Sequence, residues 1–266
     1  MNYSFLVNKK IVNKANQSGV IISVSDYIYV IHEREKNPNA KYQLSAIDKK
    51  DLVFVFEEDL EQYKKEKQKS EYYNTIKSFL QERGISELVH FTNIKNIDSI
   101  KKYGLLSINK MNEMGIKYYA NDKSRYDGYR DAICLSISRV NEPLFVQYCS
   151  KSNDEFVTLY IDASMLYIEN NKRIYCQTNA ANSDKSIVKG NSISELKAMF
   201  NDNVTYNVNS SYESRTISRV EKKRKGNETT DIQAEILWFD NVPLKYIKFP
   251  ESKDKNNGEE EDFFSF

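Results

Sequence analysis

Apolar residues recur every second position through the first fifty-odd residues and every third or fourth position after them. GVIISV (19–24), YIYVIH (27–32), YQLSAI (42–47) and LVFVF (52–56) are β-branched or aromatic runs broken by Ser25-Asp26 and by EKNPNAK (35–41), which predicts short strands. Tyr72, Ile76, Phe79 and Leu80 then fall at helical spacing. Acidic residues open that segment and Gly84 closes it, predicting a connecting helix over 58–85. Its middle, KKEKQKSE, is charged all round and predicts a solvent-exposed stretch. Beyond Ser86 the pattern mixes periods. ELVHF, DAICLSIS and EFVTLYID predict strands, and TNIKNIDSIKKYGLL predicts a helix capped by Thr92 or Asn93 and ended by Gly104. Ser192 and Glu195 form a capping box ahead of Leu196 and Met199. Residues 203–231 are polar without a period and read as a long loop, a length that in a compact domain is functional or disordered. TTDIQAEILWF (229–239) alternates again, with Ile232, Ala234, Ile236 and Trp238 on one strand face and Gln233, Glu235, Leu237 and Phe239 on the other.

These elements divide the chain into a small β domain (1–57), the connecting helix (58–85), an α+β domain (86–250) and an acidic tail (251–266) expected to be disordered. Several short strands within sixty residues resemble SH3-like barrels, as a docking or stabilising module or as a nucleic-acid grip.

Composition narrows the picture by exclusion. A net charge of +1 over 266 residues gives no global argument for nucleic acid, so any basic surface is local. No apolar run reaches the ~18 residues of a membrane span, and the N-terminus lacks the order of a signal peptide. Three cysteines at unrelated spacings suit free thiols in a reducing cytoplasm. Two histidines, with no Cys-x-x-Cys or His-x-x-x-His, argue against a zinc site.

Three features carry candidate chemistry. His90-Phe91-Thr92 ends a strand where a helix begins, a natural seat for a phosphate-bearing ligand or, equally, a core histidine followed by a threonine cap. Arg125 and Arg130 flank Asp127-Gly128 before a strand, a bidentate anion clamp or a surface turn. Glu235 is a carboxylate in an apolar run, which costs several kcal/mol unless paired, so it is either a site residue or half of a structural ion pair.

Taken in order, these segments resemble a known family. His90-x-Thr92, Asn96, Ile100 and YGLLS are similar to the opening H-x-T-x-x-x-N-x-x-x-I-x-x-x-G-L-L of the DarT-like ADP-ribosyltransferases, toxins that modify nucleic acid. RYDGYRDAICLSIS is similar to their R-x-D-G-x-x-D-A-I-S-x-S-I-S segment, with Cys134 where a serine is expected. QTNAAN (177–182) and QAEILWFDNVPLKYI follow in the family's order, the latter with Trp238 as a departure. The resemblance covers roughly residues 86–248 and leaves the first eighty-odd residues, the long loop and the tail outside it.

The resemblance implies an ADP-ribosyltransferase fold, a split mixed β-sheet with flanking helices, and NAD+ as co-substrate without a metal. His90, Phe91 and Thr92 would hold the adenosine and ribose side, with Asn96 assisting. Arg125 would be a catalytic residue near the diphosphate and reacting centre, Glu235 would be the catalytic carboxylate, and either could take the proton of a nucleobase acceptor. Cleavage at the ribose C1′ develops positive charge on the sugar, which a carboxylate at a ribose hydroxyl stabilises. The acceptor implied is a base in single-stranded DNA, with RNA a close variant and protein a distant one. Gln233 is the strand neighbour expected to meet it. Arg215, Arg219, Lys222, Lys223, Arg224 and Lys225, with Tyr206 and Tyr212 upstream, suit phosphates and unpaired bases, although a charge run is also an ordinary solvated surface. The family further implies a bacterial toxin, of a toxin–antitoxin or phage-defence system, with a cognate antitoxin or hydrolase. The competing reading is a non-enzymatic nucleic-acid-binding module in which Glu235 is structural. An enzyme requires His90, Arg125 and Glu235 to converge on one pocket, and a binder does not.

Overall fold

The computed structural model describes residues 3–33, 39–120, 125–151, 154–169, 171–207 and 213–250. The acidic-tail expectation and Tyr212 therefore lie outside the described residues. The chain forms two compact units, the first ending at Thr75 and the second beginning at Ile76.

The first unit is an antiparallel sheet of β1 (Lys10–Asn13), β2 (Ser18–Val24), β3 (Tyr27–His32), β4 (Asn39–Gln43) and β5 (Leu52–Phe54), in the order β4-β3-β2-β1-β5. Alternation along β3 buries Ile28, Val30 and His32 and turns Tyr27, Tyr29 and Ile31 outward. The buried face packs Ile11, Ile21, Ile28 and Leu52 with Leu6 and with Tyr63 of α1 (Glu57–Arg83). The expected small barrel is not closed: among the described residues, β4 and β5 are opposite edges that do not pair with each other. The third expected strand is also shorter than its apolar run, because the chain turns into a 3₁₀ segment at Leu44–Ala46. Residues 64–71 of α1 are exposed or half-buried, as their all-round charge predicts.

The second unit is built on β6 (Glu87–Asn93), β7 (Ala132–Ile137), β8 (Phe156–Asp162), β9 (Arg173–Cys176), β10 (Lys189–Gly190), β13 (Glu235–Phe239) and β14 (Ile247–Lys248). Between them lie α2 (Ile97–Tyr103), α3 (Ile108–Glu113), α4 (Glu142–Lys151), α5 (Met165–Ile168), α6 (Ile193–Ala198) and the hairpin strands β11 (Asn203–Asn207) and β12 (Ser214–Ser218). The sheet order is β10-β9-β13-β7-β6-β8-β14. Every pairing in it is antiparallel among the described residues, so the sheet is not mixed.

It is, however, split. β6 pairs with β8 from Glu87 to Asn93, and β7 pairs with β13 from Ala132 to Leu135. β6 and β7 meet only at Leu88↔Ile137 and Val89↔Ser136. Beyond those pairs a side chain bridges the gap: His90 Nδ1 lies 2.9 Å from the carbonyl oxygen of Cys134.

Residues 203–207 and 214–218 correct the long-loop expectation. They form the β11–β12 hairpin, with Val204, Tyr206 and Ile217 buried against Ile187. Only these apolar residues lie on its inner face, too few to reveal the period in sequence. The alternating run before β13 is corrected as well. The strand begins at Glu235, and Asp231–Ala234 is a turn closed by Ala234 N–H to Asp231 O.

Candidate active site

The split in the sheet opens into a cavity of about 450 Å³, within the range of small-molecule sites. His90, Phe91, Thr92, Asn96, Arg125 and Glu235 all line it. These six residues come from β6, the α2 approach, the 125–132 loop and β13, and span about 145 positions of the sequence.

Glu235 opens the central strand β13, whose following residues Ile236 to Phe239 are buried on both faces between β7 and β9. Its register partner on β9 is Cys176, and on the β7 side its neighbour is the Cys134 thiol, which hydrogen-bonds to it. The backbone N–H of Ala180 donates to Glu235 Oε1 at 2.6 Å. Burial, the largest influence, pushes the Glu235 carboxyl above its ordinary value. The Ala180 and Cys134 hydrogen bonds and the Arg125 charge oppose that shift, while Asp127 adds to it. Both thiols are held neutral: burial and then the Glu235 charge push Cys176 up to about 12 and Cys134 well above the usual thiol range.

His90 is kept neutral, because burial lowers its pKa more than the Cys134 carbonyl bond raises it. A carbonyl only accepts, so Nδ1 carries the proton and the neutral ring leaves Nε2 as an acceptor. Phe91 packs edge-on against Phe145 of α4, with ring centroids 5.4 Å apart, which fixes the aromatic wall beside it. Asn93 rather than Thr92 caps the helical turn, accepting the Lys95 N–H.

Two expected site residues, Asn96 for co-substrate binding and Arg125 for catalysis, line the cavity and also brace its wall. Asn96 donates Nδ2–H to both Thr92 Oγ1 and the Tyr119 carbonyl, and its Oδ1 accepts the Tyr119 N–H. With its amide committed, Asn96 clamps the Tyr119 segment to β6. Arg125 donates to Asp127 Oδ1 at 3.0 Å and to the carbonyls of Ala132 and Tyr129, and pairs with Asp127 Oδ2 at 2.9 Å. The guanidinium and carboxylate are 9% and 8% exposed, so the pair is a buried brace inside a loop at the cavity wall. Arg125 itself sits at φ +41°, a left-handed conformation disfavoured for a side-chain-bearing residue and held by that brace.

The basic segment divides in two. Arg219 donates to the carbonyls of Glu228 and Lys225 and to Thr230 Oγ1, and Arg224 Nε donates to the Thr230 carbonyl. These two arginines fold the 219–230 loop, because buried or turned carbonyls need donors. Lys222, Lys223 and Lys225 are exposed, as is Arg215 on β12. None of the segment lines the cavity. Gln233 does not line it either. Its N–H donates to Asp231 Oδ1 within the turn, so the shared-strand-face argument for Gln233 fails.

Sequence reasoning missed three supports. Asp231, 1% exposed, accepts the Thr178 hydroxyl at 2.5 Å, tying the turn before Glu235 to the QTNAAN segment. Gln177 Nε2 donates to the Ala198 carbonyl and its Oε1 accepts the Val188 N–H, so the start of the same segment is anchored by two adjacent side chains. Ala180 acts through its backbone, which no side-chain motif announces. The QTNAAN match was the only available signal.

The family model described as "ssDNA thymidine ADP-ribosyltransferase, DarT" matches residues 89–249. The chain belongs to the DarT family. DarT enzymes are ADP-ribosyltransferases, and the matched span holds every residue that lines the cleft named above. Among solved structures, Thermosipho africanus DarTG in complex with ADP-ribose is similar at 19% identity, over 61% of this chain and 42% of that one, with a TM-score of 0.39. This chain thus spans less than half the length of that protein. No curated protein matches the chain. Among the described residues, no group of acidic, histidine or cysteine side chains is arranged to hold a metal ion, and no helix is long and apolar enough to cross a membrane.

Proposed function

We propose that this DarT-family chain transfers ADP-ribose from NAD+ to thymidine in single-stranded DNA, releasing nicotinamide. The convergence of His90, Thr92 and Glu235 on one cleft, inside the span that matches the family, carries this reading. A binding module would not need that convergence. The cleft suits the co-substrate: Phe91 offers an apolar wall, His90 Nε2 and the Thr92 hydroxyl offer polar contacts, and Glu235 offers a carboxylate to the nicotinamide ribose.

The transfer breaks the bond from ribose C1′ to the nicotinamide nitrogen and forms one from C1′ to a base nitrogen. Thymine in DNA has a single ring N–H, at N3, so N3 is the acceptor, and its proton must leave as the new bond forms. A carboxylate with a raised pKa is a better base than an ordinary one, so Glu235 fits both tasks, stabilising the sugar and taking the proton. Arg125 is not the base: its guanidinium stays charged and is engaged by Asp127 and two carbonyls. The base must leave any duplex to reach the cleft, which favours a single strand. Lys222, Lys223 and Lys225, on a loop that Arg219 and Arg224 hold, supply phosphate contacts.

We extend the family's biology to this chain as a bacterial cytoplasmic toxin restrained by a cognate antitoxin or hydrolase. The free thiols Cys134, Cys149 and Cys176 support a reducing compartment. Incubation with labelled NAD+ and separate pools of single-stranded DNA, duplex DNA, RNA and protein tests the reading. Label is expected on thymidine of the single strand, with nicotinamide released. Label confined to RNA would move the substrate, and no label with no nicotinamide would sink the enzyme.

A further inference from the structure

We infer that Tyr126 is the platform on which the acceptor base stacks at the mouth of the cleft. This rests on the nucleic-acid reading above and adds the contact that reading lacks, since neither Gln233 nor the basic loop lines the cavity.

Tyr126 lines the cavity and is 83% exposed, the most exposed large hydrophobic side chain among the described residues. An aromatic ring left in water forgoes the burial that stabilises such side chains elsewhere, and no ring among the described residues stacks on it. Its neighbours are the opposite. Arg125 and Asp127 are both nearly buried and bonded to each other, and Gly128 N–H closes the turn on the Arg125 carbonyl at 2.9 Å. Asp127 Oδ1 also accepts the Tyr129 N–H, and Arg125 reaches on to Ala132 at the start of β7. The chain is thus pinned on both sides of Tyr126, in a turn whose second residue projects away from the pin. None of the hydrogen bonds described for this turn uses the Tyr126 side chain. The turn's backbone is left-handed at Gly128, as a turn glycine allows, and at Arg125, where the bonds to Asp127 hold a conformation disfavoured for a side-chain-bearing residue.

What that ring can do follows from its place. The loop that presents it also holds Arg125 and Asp127, whose charges act on Glu235. A flat, solvent-facing ring on a braced turn beside the reacting carboxylate matches an unpaired base, which is itself a flat apolar surface stripped of its neighbours. The ring reads no base edge, so it contributes affinity and placement rather than choice of base.

The test uses the full chain as wild type, Tyr126→Ala and Tyr126→Trp. Three readings are taken: transfer to a thymidine-containing single-stranded oligonucleotide, nicotinamide release without DNA, and anisotropy of a labelled oligonucleotide without NAD+. For Tyr126→Ala, KM and Kd for the oligonucleotide are expected to rise about ten-fold or more. Its KM for NAD+ and nicotinamide release without DNA should stay at the wild-type level, and Tyr126→Trp should restore oligonucleotide affinity. Wild-type oligonucleotide affinity in Tyr126→Ala would overturn the inference. So would a Tyr126→Trp variant as weak as alanine, or equal losses for NAD+ and oligonucleotide, which would mark a loop-folding role. If the wild type labels no DNA but Tyr126→Ala still loses oligonucleotide affinity, the acceptor reading fails and the stacking surface stands.

Discussion

The backbone N–H of Ala180 donates to Oε1 of Glu235 across 2.6 Å, although 55 residues separate the two along the chain. The bond aims the carboxylate without a side chain's help, because β9 and β13 are neighbours and the segment after Cys176 folds back over the start of β13. Glu235→Gln keeps an oxygen for Ala180 and removes the charge. Transfer to DNA is expected to fall by about 10²–10⁴-fold, as for loss of a general base or an electrostatic stabiliser, with an unchanged far-UV circular dichroism spectrum. Single-turnover assays with labelled NAD+ measure the loss.

The same carboxylate makes stability depend on pH. Its pKa is raised by burial on folding, so the folded state holds its proton to higher pH than the unfolded chain does, and ionisation costs the native state. Below the ordinary value of 4.5 the group is protonated in both states and contributes no penalty. The penalty grows as pH rises from there through the raised folded value, and is complete above it. Glu235→Gln should therefore melt higher than wild type at about pH 8, by about 2–4 °C per kcal/mol relieved, and no higher at about pH 4. Paired thermal melts at the two pH values decide it.

Asn96 predicts a different profile. Asn96→Ala leaves both backbone groups of Tyr119 and the Thr92 hydroxyl without the amide that joins them. Stability is expected to drop by about 1–3 kcal/mol. KM for NAD+ should rise with little change in kcat, since Asn96 shapes the cleft wall and touches no reacting atom. Denaturant titration and initial rates at varied NAD+ separate the two effects.

The basic loop should behave as two sets of residues. Lys222→Ala and Lys223→Ala remove exposed charges, so DNA affinity is expected to fall, with the salt dependence losing about one phosphate contact each, while the melting temperature holds. Arg219→Ala frees three acceptors at once and should lower the melting temperature as well as affinity. Fluorescence anisotropy across a salt series, with melts of the same variants, distinguishes them.

The chain's pattern made much of this legible. β3 is bounded as YIYVIH reads, the capping box of Ser192 and Glu195 forms, and Gly104 ends α2 at φ +79° with its N–H on the Ile100 carbonyl. These features are local, so nearby residues determine them. The motif order placed Glu235, His90 and Thr92 in one site because a family resemblance carries long-range pairing that periodicity does not. What stayed hidden was non-local or belonged to the backbone. Nothing in Arg219 distinguishes a guanidinium folded onto its own loop from one offered to phosphate. Nothing in Asn96 shows that its amide is already spent on Tyr119. The β11–β12 hairpin was obscured because polar Asn, Thr and Ser fill its outward positions, and the open first sheet because strand count alone does not decide closure.

The parting of β6 from β7 after Val89 and Ser136 also bears on how the site is to be probed. Along the margins of that parting, peptide groups take the place that a neighbouring strand occupies elsewhere in the sheet. Hydrogen bonds offered there belong to the main chain and survive any exchange of side chains. An alanine scan across the two margins leaves that main chain untouched. Ester substitution of single amide linkages, which deletes one donor and leaves every side chain in place, is the probe that reaches it.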